Sequence, residues 1–383
     1  MNKMKKMKKL KKLLCVLMSL LLMLSFAACA SGTQKESAGA AQAATSPQAS
    51  AVGSAADTTA DTTVGSNTDT TSDPTTEPVL SEEDALELEP RHGTTLYYYI
   101  SDGCSAGPSM ADALGYFADA GLTVEGYKGD ASSDVDALGT AAVDLNVGHF
   151  AKQIVPATNG VDLVFVGGAH SGCKSLVVMA DSPYQTTEDL KGLKISTPNG
   201  IGKSDYNITA RLLDADGINP MTGVELVQVE TGACVPAMER GELAAALLSD
   251  TFIYQMVKEG TLRVIRSMLD EDLNQICCAI SMNGTFAKEN PITAAKMASC
   301  VKRAHEWMAA NPEEATQMLV DLGLSSGDFD MNVEINKSLQ YGSSDAFTEE
   351  QLQMICEDYK RLGLMTTTDS VAEIMEKIWI PMG

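Results

Sequence analysis

The residues able to do chemistry in this chain are its thiols and imidazoles. There are nine cysteines and four histidines in 383 residues. Cys15 and Cys29 fall in the N-terminal export region, which leaves Cys104, Cys173, Cys234, Cys277, Cys278, Cys300 and Cys356. An odd number of thiols without CxxC or finger-like spacing indicates neither a disulfide framework nor a structural zinc site. Unpaired thiols are unusual in exported proteins of oxidising habitats, so this usage points to an anaerobic setting. A thiol is a weak hydrogen-bond donor, whereas thiolates suit soft metals and metalloids. No Ser/His/Asp set, HExxH or paired-carboxylate motif stands out. The glycine turn Asn199–Ser204 lacks both GxGxxG and GxxxxGK[ST] spacing, which excludes a dinucleotide or P-loop reading.

The ends and composition bound the rest. Residues 1–12 carry seven lysines and no acid, and an uncharged run from Leu13 to Ala28 follows. Sixteen residues fall short of the ~20 needed to span a bilayer, so the segment reads as an export signal. Phe26-Ala27-Ala28-Cys29 resembles a lipobox and makes Cys29 the expected lipidation site, with Phe26 departing from the usual Leu. Removing residues 1–28 takes the net charge from −23 to −30. Such an acidic surface argues against nucleic acid or anionic lipid as partners. Ala30 to Pro90 is rich in Ala, Ser, Thr, Gly, Asp and Glu and holds no aromatic residue. It cannot bury enough apolar surface to offset its ordering entropy, so 29–92 is expected to be a flexible tether, roughly 45 Å in root-mean-square span.

The elements that must position the thiols are short strands alternating with helices, the pattern of an α/β architecture with a mainly parallel sheet. Thr94–Ser101 reads as the first buried strand and opens into the small-residue turn Asp102–Ser109. Met110, Ala113, Leu114 and Phe117 recur at helical spacing. Further strands are expected at Ala142–Phe150, Asp162–Gly168, Ser175–Ala180, Lys194–Thr197, Val224–Glu230 and Thr261–Met268, and the chain turns helical from Asn290. Trp307 and Trp379 read as packing residues. Ligands of open α/β sheets sit beyond strand carboxyl ends, near helix N-termini, and the loops at Cys104–Ser109, Gly148–Phe150 and His170–Cys173 occupy such positions.

The segment DSPYQTTEDLKGLKISTPNG (181–200), the stretch Gly115-Tyr-Phe…Gly-Leu-Thr-Val-Glu125 and the strands at Ala142–Phe150 and Gly241–Ser249 resemble periplasmic-type solute-binding proteins that feed ABC importers. The similarity is to the branch taking up nitrate, taurine, aliphatic sulfonates and thiamin-precursor pyrimidines, and it covers about residues 95–320. It implies a type II periplasmic-binding-protein fold with two lobes, 93–183 plus 282–383 and 184–281. The crossovers then lie at Asp181–Pro183 and Cys277–Met282, and the helical C-terminus covers the first lobe. It also implies capture of a small molecule by hinge closure and delivery to a permease and its ATPase, by a monomer without catalysis or cofactor.

The expected ligand contacts are Cys104, Ser105, Gly107, Ser109, His149, His170, Ser171, Cys173, Lys203, Ser204, Thr231, Cys234 and Asp250. Cys104, Cys173 and Cys234 fit small anions poorly, so thiol-assisted binding of an organometal, metalloid or organosulfur compound stands as an alternative. A ligand-sensing lipoprotein is a further one. The fold also resembles the pyrimidine synthase of thiamin biosynthesis, but that family's Cys-rich motif is absent, since Cys277-Cys278 stands alone on an apolar strand.

Overall fold

A computed structural model describes residues 81–130, 133–270 and 275–382. The export signal (1–28), Cys29 and the tether up to Leu80 lie outside the described residues.

Two sheets carry the fold. The first takes β1 (Thr95–Tyr99), β2 (Thr123–Tyr127), β3 (Leu145–His149), β4 (Leu163–Ser171), β10 (Ile276–Asn283) and β11 (Gln340–Tyr341) in the order β11-β4-β10-β3-β1-β2. The second takes β5 (Lys174–Met179), β6 (Lys194–Ser196), β7 (Glu225–Val227), β8 (Ala245–Ser249) and β9 (Leu262–Ser267) in the order β7-β6-β8-β5-β9. Within each sheet the βαβ strands pair in parallel, β1 with β2 and β3, and β6 with β7 and β8. The strands that enter and leave the crossovers run antiparallel to their neighbours. β4 and β10 are buried along their whole length, as central strands covered on both faces must be. Their residues are accordingly an almost unbroken run of apolar and small side chains.

The crossovers differ from the sequence expectation. β5 belongs to the second sheet, so the chain leaves the first lobe at Gly172-Cys173 and not at Asp181–Pro183. It returns between Ser267 and Ile276, which puts Cys277–Met282 inside the first sheet. Pro183 is a strong turn signal and drew the expected boundary towards itself. The actual break is made by backbone at positive φ, +87° at Gly172 and +94° at Cys173. Glycine adopts this region freely, whereas a cysteine held there costs on the order of 1–3 kcal/mol.

The folded part also begins earlier than residue 93. Ser81 caps the helix Glu82–Glu87. The buried Glu89 carboxylate accepts the amides of Ile292 and Thr293, at 2.5 and 2.9 Å. These open the 20-residue helix Pro291–Ala310, so a negative charge meets the positive end of its dipole. Arg91 forks onto the buried Asp144 carboxylate at 2.7 and 3.0 Å, and the same carboxylate accepts the Tyr97 amide.

The C-terminal helices Asp345–Arg361 and Val371–Ile378 cover the first sheet as expected. Leu352, Ile355, Tyr359, Ile374 and Trp379 form one core with Phe150 and Phe165, and those two rings meet at 4.7 Å between centroids. Trp307 is half-buried against the core of the first lobe. Side chains of the Ser204–Ala215 helix bind the other lobe: Asn207 donates to the Ala151 carbonyl, and Arg211 to Asp358 and Gln275.

Arg91→Ala is expected to strand the Asp144 charge and cost about 2–3 kcal/mol. That is below the 3–5 of a fully buried pair, because the Arg91 side chain is 31% exposed. A lowered urea midpoint at unchanged slope checks this.

Candidate functional site

The site is built at the edge where the first sheet faces the second lobe. β1 ends in the turn Gly103–Ser105, which presents Cys104. β3 ends at His149 and β4 delivers His170. The crossover supplies Cys173, and β10, running the opposite way, begins at the same edge with Cys277 and Cys278. Register makes the convergence specific: Cys278 pairs with His149 on one side of β10 and with His170 on the other. Successive residues of a regular strand point to opposite faces. The ladder with β4 shifts register on both sides of Cys278, a bulge-like irregularity of the kind that re-aims side chains beside functional sites. The Cys277 and Cys278 sulfurs are thereby left 4.0 Å apart.

Two groups of metal-capable donors result, Cys104/His170/Cys278 and His149/Cys173/Cys277, with the donor atoms in each group within 4.8 Å of one another. His149 Nδ1 lies 3.2 Å from Cys277 Sγ and 3.8 Å from Cys278 Sγ. Ser105 Oγ lies 3.6 Å from Cys278 Sγ. The electrostatics are uneven. Hydrogen bonding from Cys104, Cys173 and Cys277 pulls the Cys278 thiol well below its ordinary range. Hydrogen bonds with its three thiol neighbours, then burial, push Cys173 well up, and burial above all raises Cys277. Burial opposes charging of His170, but Cys278 and Cys104 outweigh it and hold the imidazole well above its usual range. Of the four thiols, Cys278 is thus the one whose surroundings favour the thiolate.

Behind the cluster, Tyr341 meets His170 edge-on at 5.6 Å and stacks on His305 at 5.5 Å. Burial, then the neighbouring His170, takes His305 down to about 3. His170 Nε2, both His305 nitrogens, the Tyr341 hydroxyl and Ser109 Oγ are buried without hydrogen-bond partners, a concentration of unsatisfied groups that calls for an occupant or a functional role.

The cluster opens onto a cavity of about 500 Å3 between the lobes, lined by Cys104, His149, Cys173, Lys174 and Ser249–Phe252, and on the far side by residues between Leu319 and Leu339. Lys174 is buried and paired with Asp205 at 2.6 Å. Burial raises the Asp250 carboxyl, which accepts from Ser175 at 2.7 Å while its amide binds the Cys173 carbonyl.

Of the residues singled out in the sequence, Cys104, Ser105, His149, His170 and Cys173 come together here, and Asp250 lines the cavity next to Cys173. Ser171 is buried at the end of β4. Gly107 and Ser109 lie beneath the cluster, where a Cβ at Gly107 would collide with His305 Nε2. Four expectations fail. The Cys234 thiol points into the second lobe, donating to Ser196 Oγ and to the Val229 and Glu230 carbonyls. Lys203 is exposed, Ser204 is buried against Asn199 and Asp205, and Thr231 opens a helix, none of them lining the cavity. The sequence reading missed Cys277, Cys278, His305 and Tyr341. A vicinal cysteine pair one strand away from Gly148-His149 was the available signal, and the misplaced crossover concealed it.

A family model described as NMT1/THI5 like matches residues 105–315. No curated protein sequence matches. Among solved structures, the chain is similar to the periplasmic aliphatic sulphonate binding protein of Escherichia coli, with TM-score 0.62 and 19% identity over 75% of this chain and 92% of that one. It is similar to the periplasmic nitrate-binding protein of Synechocystis, with TM-score 0.58 and 16% identity over 74% and 85%. A zinc-bound ligand-binding component of an ABC-type import system from Staphylococcus aureus gives TM-score 0.57 and 13% identity over 75% and 96%. The architecture is therefore the two-lobed type II periplasmic-binding-protein fold, with a hinge and a ligand cleft.

Gly107→Ala is expected to destabilise the protein by about 1–3 kcal/mol through overpacking, since His305 is held in its stack and cannot withdraw. Thermal melting against the parent chain reads this directly.

Proposed function

The chain belongs to the NMT1/THI5-like family, and on that premise we propose that it is the extracytoplasmic solute-binding component of an ABC importer whose solute is a soft metal, metalloid or organometal species. The observation that carries the reading is the convergence of four thiols and two imidazoles, of which Cys104, Cys173 and His149 line the inter-lobe cavity. Such donors select soft and borderline-soft elements. The same cavity is poorly furnished for nitrate or a sulfonate. Small anions need cationic or amide donors, yet Lys174 is committed to Asp205 and the Asp250 carboxylate lines the wall. The reading is binding and not turnover because the fold is shared with binding proteins of importers. Hinge closure over the cavity would then commit the solute for delivery to a permease and its ATPase.

The experiment is thermal melting of the full chain, kept reduced under anaerobic conditions, with Cd2+, phenylarsenite and methylmercury set against taurine, nitrate and an aminopyrimidine. A ligand at about 1,000 times its Kd stabilises by about 4 kcal/mol, several degrees for a fold of this size. The thiophilic probes are expected to shift the transition, and Cys278→Ser to abolish the shift. A shift with nitrate or taurine alone would return the reading to a small-anion importer.

We further propose that Cys29 carries the lipid anchor. Cells given labelled palmitate are expected to incorporate it into the wild-type chain and not into Cys29→Ala.

A further inference from the structure

We propose that the cluster holds two soft divalent ions at once, joined through the sulfurs of Cys173 and Cys278. This rests on the soft-element reading above and deepens it, by specifying how many ions the site takes and how they are bound.

The first argument is geometric. Metal–sulfur and metal–nitrogen bonds of about 2.3 and 2.0 Å at a tetrahedral ion place two sulfurs about 3.8 Å apart, and a sulfur and a nitrogen about 3.5 Å apart. The Cys277 and Cys278 sulfurs are 4.0 Å apart, and His149 Nδ1 is 3.2 and 3.8 Å from them. Three edges of one coordination tetrahedron, one face of it, are therefore already in place. Cys278 belongs at the same time to the group with Cys104 and His170, so it is common to both halves of the cluster. Cys173, from the outward crossover, is grouped with His149 and Cys277 in the other half, and the bond count below assigns it the second bridge.

The second argument is a count of bonds. Two tetrahedral ions require eight, and the cluster offers six donor atoms. With Cys173 and Cys278 each bonding both ions, the total is eight and nothing is left over. One ion takes His170 and Cys104 with the two bridging sulfurs, and the other takes His149 and Cys277 with the same pair.

The third argument is charge. Four thiolates and two divalent cations are neutral together, and neutral assemblies are the ones a buried site tolerates. One divalent ion among four thiolates would leave two negative charges beside Asp250, with Lys174 already committed to Asp205. The positive φ of Cys173 fits the same purpose, since the strained backbone stands where its sulfur joins His149 and Cys277.

The test uses the reduced full chain titrated with Co2+ and Cd2+ under anaerobic conditions, read by native mass spectrometry and by electron paramagnetic resonance. Two ions per chain are expected, with the cobalt signal of the first equivalent quenched as the second arrives, because bridging sulfur couples the two spins. Cys104→Ser is expected to lower the count from two to one, and Cys278→Ser to weaken both sites at least tenfold. Melting of the metal-free variants separates loss of a ligand from loss of the fold, and the wild-type count and spin coupling decide the matter even if a variant does not fold. One ion per chain, or two without coupling, would overturn the bridged pair and leave the soft-element importer standing. No cobalt or cadmium bound at all would overturn both.

Discussion

The arrangement of this molecule depends on the insertion of one antiparallel strand, β10, between β3 and β4. Parallel βαβ strands all deliver their carboxyl ends to the same edge of a sheet. An antiparallel strand brings its beginning there instead, so the return crossover adds residues to an edge that βαβ units alone could not supply. Here the register sets Cys278 between His149 and His170, and the irregularity beside it keeps the Cys277 sulfur near that of its neighbour. The remaining contributors, Cys104 and Cys173, come from the first βα turn and the outward crossover. Both lobes and both crossovers thus meet at one buried point.

That point is expensive to build. The polar groups around it are buried with few partners, one backbone residue is held in a disfavoured region, and like donors crowd one another. A well-packed apolar edge would be the more stable solution for a protein selected on stability alone. Elsewhere in the first lobe β4 and β10 are sealed by the aromatic core of Phe150, Phe165 and Tyr359.

Much of the fold was legible in the sequence because its signals are local. Strand runs, glycine-ended helices and the Thr186/Asp189 capping box sit within a few residues of one another, and the family likeness rests on such segments. The site was less legible because it is assembled from residues between 104 and 278, whose proximity depends on strand order. Loop position after a strand brought forward Cys104, His149, His170 and Cys173, which the fold gathers in one place. The same rule failed for Cys234, because the first turn of a helix can aim a side chain inward at the sheet as readily as outward at the cleft. Cys277-Cys278 looked inert because hydrophobic neighbours on both sides mark a buried strand, and burial was taken as a sign of packing. Which strand lies beside it cannot be read from that pattern.

The segment Ser81–Arg91 has a mechanical meaning. It is fastened to the first lobe by two charged clamps, Glu89 on the opening turn of the Pro291–Ala310 helix and Arg91 on Asp144. Any pull along the chain that precedes it therefore enters the molecule through the first lobe and is spread along a 20-residue helix and the start of β3. The crossovers at Gly172-Cys173 and beyond Ser267 lie outside that load path. In the proposed importer component the first lobe would be the mounted part and the second the swinging part, so closure would not work against an anchor at Cys29.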